Sequence, residues 1–284
     1  MTMTEMVGAS VYREVRGSGP VLLLIPGGSG DAAGYAQIVP AMAERFTVVS
    51  YDRRGFVRSP LDAPVESAGP TPPGDRGRLA ADVADAVALI DVAVAEHGGD
   101  DAPAYVFGSS SGAIVALHLL VAHADRLARV VAHEPPLVNL LPDADGWPGV
   151  LESVYETYVR DGQDAAMDYF GERLGMPAGA LPSTDGLPPH LAELIGRLRI
   201  NQRFWFEHEL RQYPVATPDL DALDALADKL VLAGGIESKP FMPYRPSLVI
   251  AERLRTRVVD MPGDHIGYVT RPAEFATALT KLLG

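Results

Sequence analysis

The chain reads as an α/β protein: a mainly parallel central sheet flanked by helices, with a helical cap inserted late in the sheet. Short apolar, β-branched runs alternate with helical patterns along most of the sequence. Several of those runs are apolar throughout rather than alternating, as strands covered on both faces are. The alternation stops across residues 135–218, where helical patterns follow one another with no buried strand between them.

The elements follow in order. A strand at 9–15 leads into apolar runs at 20–26, 46–52, 104–109, 127–134, 229–235 and 256–263. Between them Leu79, Val83, Val87, Ile90 and Val94 repeat at three or four and mark one face of a helix. Residues 112–122 are apolar nearly all round, so that helix belongs at the centre; Phe275, Leu279 and Leu282 mark a closing helix. Strand and helix alternating in this way predict a doubly wound sheet. The interruption opens with the loop 135–149. Helical stretches follow at 151–169 and 191–213, split by the turn-rich 175–189. The expected organisation is a core of 1–134 and 219–284 with a helical cap of 135–218. Residues 62–75, rich in Pro and Gly, read as a surface loop.

The 284 residues suffice for one large domain with an insertion, and 47% apolar composition is enough for a core without staples. Cysteine is absent, which excludes a disulfide scaffold, a thiol nucleophile and cysteine-ligated metal. A net charge of −13, spread along the chain, disfavours nucleic acid and anionic membranes as partners. Only three of the 24 basic residues are Lys, the bias of a GC-rich bacterial genome. The N-terminal residues lack the pattern of a signal peptide and no apolar run is long enough to span a bilayer, so a cytoplasmic protein is expected. A homodimer is left open.

The chemistry lies in 106-VFGSSSGAIVALHLL-120. A strand ends and a buried helix begins within five residues, so the chain turns sharply at Gly108-Ser109-Ser110-Ser111-Gly112. That is G-x-S-x-G between strand and helix, the setting that raises a serine hydroxyl clear of a sheet. Ser110 occupies the exposed place. Ser109 and Ser111 are small fillers, and the Ser111 N–H is available to an oxyanion.

At this point the sequence resembles the α/β-hydrolase fold family over nearly its whole length. Besides the serine turn, 22-LLLIPGGSG-30 is similar to the family's H-G-x loop, with Pro26 for the His. The stretch 51-YDRRGFVRS-59 resembles Y-D-x-R-G-x-G-x-S, with Val57 for a Gly. The tail 261-MPGDHIGYVTRPAEFATAL-279 resembles the last strand, G-x-H loop and closing helix.

The resemblance implies a nucleophile, acid and base in the chain order Ser, acid, His. Ser110 needs a base to take its proton, and the base needs a partner to orient it. His265 matches the family's base. For the acid, Glu237 follows the strand at 229–235, where the family commonly has Asp, and is ranked first. Glu134, at the end of 127–134, is the alternative; haloalkane dehalogenases of the same fold carry their acid there. The second oxyanion donor is expected from the Gly28 N–H, beside that of Ser111. Among the aromatic residues of the cap, Trp205 and Phe206 are the candidates for substrate contact. No metal or other cofactor is expected, and the partner is a small-molecule substrate.

The expected activity is that of a serine esterase on a small or medium apolar ester, with a methyl ester or lactone included. The same residues also run C–C bond hydrolysis, acyl transfer and perhydrolysis in this fold, and a relative that binds ligand without turnover is the alternative of another class. Epoxide hydrolysis and dehalogenation are disfavoured, because they need Asp at the position of Ser110.

Overall fold

A computed structural model describes residues 2–63, 70–97, 102–177 and 181–284. Residues 64–69 of the expected surface loop and 178–180 of the expected turn region lie outside the described residues. Eight strands form one sheet: β1 (Thr2–Met6), β2 (Ala9–Arg16), β3 (Val21–Ile25), β4 (Thr47–Tyr51), β5 (Ala104–Ser109), β6 (Leu127–His133), β7 (Leu230–Gly235) and β8 (Val258–Met261). Their order across the sheet is β1-β2-β4-β3-β5-β6-β7-β8. The β1–β2 and β2–β4 pairs are antiparallel, and every pair from β4 to β8 is parallel.

The helices are α1 (Val39–Met42), α2 (Gly77–His97), α3 (Ser111–Ala122), α4 (Trp147–Asp161), α5 (Gln163–Leu174), α6 (Pro189–His208), α7 (Leu220–Ala225), α8 (Arg245–Arg253), α9 (Gly267–Thr270) and α10 (Pro272–Leu283). Successive residues of a strand face opposite sides, so each continuous apolar run feeds two cores. Val21, Leu23 and Ile25 of β3 join Val106 and Val130 in a cluster with α2 and α3. Leu22 and Leu24 face the other way, into a cluster with Phe107, Val131 and Phe275, Ala276 and Leu279 of α10. Each fully buried Leu contributes about 1.5–3 kcal/mol over exposure. The two-sided burial explains why these strands carry no polar alternation.

The insertion between β6 and β7 carries α4, α5 and α6, around a small core built on Leu151, Val154, Phe206 and Leu210 that Met242 also joins. The stretch read as one helix at 151–169 is two: Gly162 adopts φ 90 and ends α4 before α5 starts. The second helix stops at His208, short of the expected 213. Several short elements were not read from the sequence, β1 and α8 among them. β1 is an exposed edge strand with no apolar stripe, and α8 is a nine-residue helix, too short to repeat its apolar face.

At the serine turn, α3 leaves β5 with the helix pressed against the sheet. A Cβ on Gly108 would collide with the Gly112 carbonyl, and one on Gly112 with the carbonyls of Ile25 and Pro26. Both glycines are there for close backbone approach. Gly112→Ala is therefore expected to lower unfolding free energy by about 1–3 kcal/mol in urea titrations. Gly196→Ala, mid-α6 with nothing within 4 Å of the added carbon, is expected to raise it by about 0.5–1 kcal/mol. Equal effects of the two would refute the packing argument.

Candidate active site

The described site lies at the C-terminal ends of the parallel strands, where β5 hands over to α3. Ser110 stands there with φ 55 and ψ −124, a conformation an L-residue holds only when its surroundings enforce it. The enforcement is local. The Ser110 N–H donates to the carbonyl of His133 at 2.9 Å, and the Ser110 carbonyl accepts from Ala113 N–H at 2.9 Å. Ser110 itself is half-exposed while Ser109 and Ser111 are buried, so one hydroxyl of the three faces out.

Ser109 pairs in register with His133 across β5 and β6. The next residue on each strand is therefore Ser110 on one and Glu134 on the other. Glu134 is fully buried. Its Oε1 accepts the Gly235 N–H at 2.7 Å, and its Oε2 accepts from His265 Nδ1 at 2.5 Å. Burial opposes the charge of Glu134, but the His265 bond, nearby imidazoles and the Gly235 N–H outweigh it and hold the carboxyl below its ordinary value. With Nδ1 spent on Glu134, the outward His265 nitrogen is Nε2, on a side chain 14% exposed. Nε2 does not bond Ser110 Oγ in this structure; such contacts often tighten only once substrate is in place.

The carboxylate that pairs with His265 is thus Glu134, the alternative, and not Glu237, ranked first from the sequence. Glu237 does not reach His265. It lies in a short turn after β7, more than half exposed, and its carboxylate faces Arg271 at 3.7 Å. The β6 end points a carboxylate inward, whereas the turn after β7 carries Glu237 out to solvent. Asp264, beside His265, is turned away: its Oδ1 accepts the Ile266 N–H at 3.0 Å and the Thr270 hydroxyl at 3.2 Å.

The loop after β3 closes the site. A Cβ on Gly27 would lie 3.1 Å from Ser110 Cβ and 3.8 Å from its Oγ. A Cβ on Gly28 would lie 2.8 Å from Trp205 Nε1. Trp205 of α6 thus lies directly over the loop, propped by Phe170 at 5.3 Å between ring centroids. Phe206 points elsewhere. It is fully buried and stacks on Tyr158 at 4.7 Å, inside the core beneath the insertion's helices. Of the two expected aromatic contacts only Trp205 reaches the site. Ser111, as first residue of α3, has an amide with no intrahelical acceptor.

One buried group was missed as a site neighbour. The sequence shows His133 only as the end of a strand. It is fully buried behind His265, with ring centroids 6.4 Å apart, and shares a 3.2 Å hydrogen bond with Ser109 Oγ. Its Nε2 has no partner among the described residues. Among the described residues no three His, Asp or Glu side chains gather as a metal ion would require. No described helix is long and apolar enough to cross a membrane.

The model of the Alpha/beta hydrolase family matches residues 22–278. The chain is 32% identical over 284 residues to the uncharacterized hydrolase YraK of Bacillus subtilis (strain 168), covering 98% of this chain and 94% of YraK. It is 25% identical to the zearalenone hydrolase of Bionectria ochroleuca, over 97% of this chain and 94% of that one. Among solved structures, the esterase EaEST from Exiguobacterium antarcticum superposes with a TM-score of 0.70 at 16% identity, covering 99% of this chain and 98% of the other.

Burial drives the His133 imidazole down to about 4, from an ordinary 6.5; the charge of Glu134 opposes this and that of His265 adds to it. A group whose folded pKa is depressed stabilises fully above its unfolded value, and that contribution is withdrawn as pH falls. Between pH 6.5 and 5, stability should therefore drop by up to about 1.4 kcal/mol per pH unit on account of this residue. Urea titrations of His133→Met should show a flatter profile across that window. An unchanged slope would mean that His133 is protonated in the fold.

Proposed function

Because the chain belongs to the Alpha/beta hydrolase family, we propose that it is a serine hydrolase cleaving carboxylic esters, lactones among them, through an acyl-enzyme on Ser110. One observation carries this reading: a hydroxyl on a strained turn and a Glu134–His265 pair meet at one end of two neighbouring strands.

The steps follow from the atoms in place. His265 takes the Ser110 proton on Nε2 as Oγ attacks the carbonyl carbon, and the Glu134 carboxylate stabilises the imidazolium that forms. The oxyanion is received by the N–H groups of Ser111 and Gly28, worth about 10²–10³ in rate for each donor of this kind. The tetrahedral intermediate collapses, His265 returns the proton to the departing alkoxide, and the alcohol leaves. Water then attacks the acyl-enzyme by the same route, giving the acid and restoring Ser110. In a lactone the hydroxyl freed in the first step remains part of the acyl chain, and the second step releases a single hydroxy acid.

Trp205 forms a wall over the oxyanion loop, so a flat or apolar acyl group fits beside it. Lactones enter this reading because the ring opening needs no further group, and because a relative is named for zearalenone.

The test is a panel of p-nitrophenyl esters, methyl esters, simple lactones and zearalenone, with a fluorophosphonate to label the nucleophile. Ser110→Ala should abolish labelling and lower turnover by at least about 10³. Glu134→Gln should cost turnover far more than Glu237→Gln, which should stay near wild type. Wild-type ester turnover by Ser110→Ala would end this reading. Failure of wild type to label or turn over any member would point instead to a ligand-binding relative.

A further inference from the structure

Arg53 is the largest fully buried side chain of the molecule among the described residues. It follows β4 and lies beneath the loop that carries Gly28. Its Nη1 donates to Asp82 Oδ2 and to Glu209 Oε1, both at 2.8 Å. Its Nη2 donates to Glu209 Oε2 at 2.6 Å and to the Gly27 carbonyl at 2.8 Å. Glu209 belongs to the insertion, four residues beyond Trp205, and its own N–H donates to the Trp205 carbonyl at 2.9 Å.

The Gly27 carbonyl and the Gly28 N–H belong to one peptide unit. No cis peptide occurs in the structure, so the two groups point in opposite directions. Whatever fixes the carbonyl fixes the N–H. Two donors hold that carbonyl from below, Arg53 Nη2 and the Gly30 N–H at 2.9 Å. The Gly28 N–H is left aimed the other way, with no acceptor among the described residues. A cationic donor on the carbonyl also polarises the peptide and strengthens the N–H on its far side.

As a stabilising device the arrangement is a poor one. Burying one guanidinium and two carboxylates costs desolvation that packed apolar side chains would avoid. The charges gain their use if the direction of one peptide must be held against reaction-induced strain. The geometry points to Arg53 as a positioning residue for the oxyanion site: it orients the Gly27–Gly28 peptide, and it does so while Glu209 of the insertion clamps it. The insertion then governs the rate of acyl transfer through a buried ion pair, besides shaping the pocket. This rests on the serine-hydrolase reading above.

The experiment compares wild type with Arg53→Gln, Arg53→Lys and Glu209→Gln, using p-nitrophenyl acetate turnover and inhibition by a trifluoromethyl ketone, whose serine adduct carries the same oxyanion. In Arg53→Gln and Glu209→Gln, kcat should fall about 10- to 100-fold with KM within about threefold, and ketone affinity should fall in step with kcat/KM. Arg53→Lys, which keeps one cationic donor, should recover part of both. A role in stability alone predicts a lower Tm with kcat and ketone affinity unchanged well below it, and that result overturns the inference. Should Arg53→Gln not fold, Glu209→Gln, which keeps shape and one carbonyl acceptor, decides by the same two readouts. A wild type that neither turns over the ester nor binds the ketone would instead remove the serine-hydrolase reading, and this inference with it.

Discussion

The site depends on one buried carboxylate. Glu134 joins three parts of the chain that are far apart in sequence: its amide bonds the Ala233 carbonyl at 3.0 Å, its Oε1 the Gly235 amide and its Oε2 the His265 ring. An unpaired charge at that depth would be prohibitive, and the paired one holds the loop after β8 against the ends of β6 and β7. Glu134 itself sits at φ 49, in the left-handed region, one strand away from Ser110 at φ 55. Two of the three non-glycine residues with positive φ among the described residues thus sit on adjacent strand ends, where a rigid two-sided sheet can hold the strain.

A second layer of buried charge lies on the far side of Ser110. Arg53, Asp82 and Glu209 form a pit beneath the oxyanion loop, closed by the Tyr213 hydroxyl, which donates to Asp82 at 2.6 Å. Arg197 of α6 adds a contact to Asp31 at 2.5 Å, and the Asn201 side chain accepts the Val57 N–H at 3.0 Å. Helix α6 is thus fastened along the loops after β3 and β4. Trp205, on the same helix, lies over Gly28 of the loop after β3.

The parallel sheet was legible because strands buried on both faces leave continuous apolar runs, as in 20–26 and 104–109. β1 was not, since an edge strand with no core face has no pattern to leave. The serine turn was legible because close backbone approach demands Gly108 and Gly112 at fixed offsets. The choice between Glu134 and Glu237 turned on the direction a strand end points its side chain. Position in a motif carries no such information, although a carboxylate directly after the apolar run 130–132 and His133 was a usable sign. Trp205 and Phe206 are neighbours on one helix, about 100° apart around its axis, so only one could face the site. The pairing of Arg53 with Glu209 joins positions 156 residues apart, and nothing local marks either.

The central claim is that His265 is held by Glu134, and the shared proton reports it directly. A proton between an imidazole and a carboxylate at this distance gives a strongly downfield 1H NMR resonance. It should be present in wild type and in Glu237→Gln, and absent in Glu134→Gln and His265→Ala. A resonance that survives Glu134→Gln, or vanishes in a folded Glu237→Gln, would contradict the account.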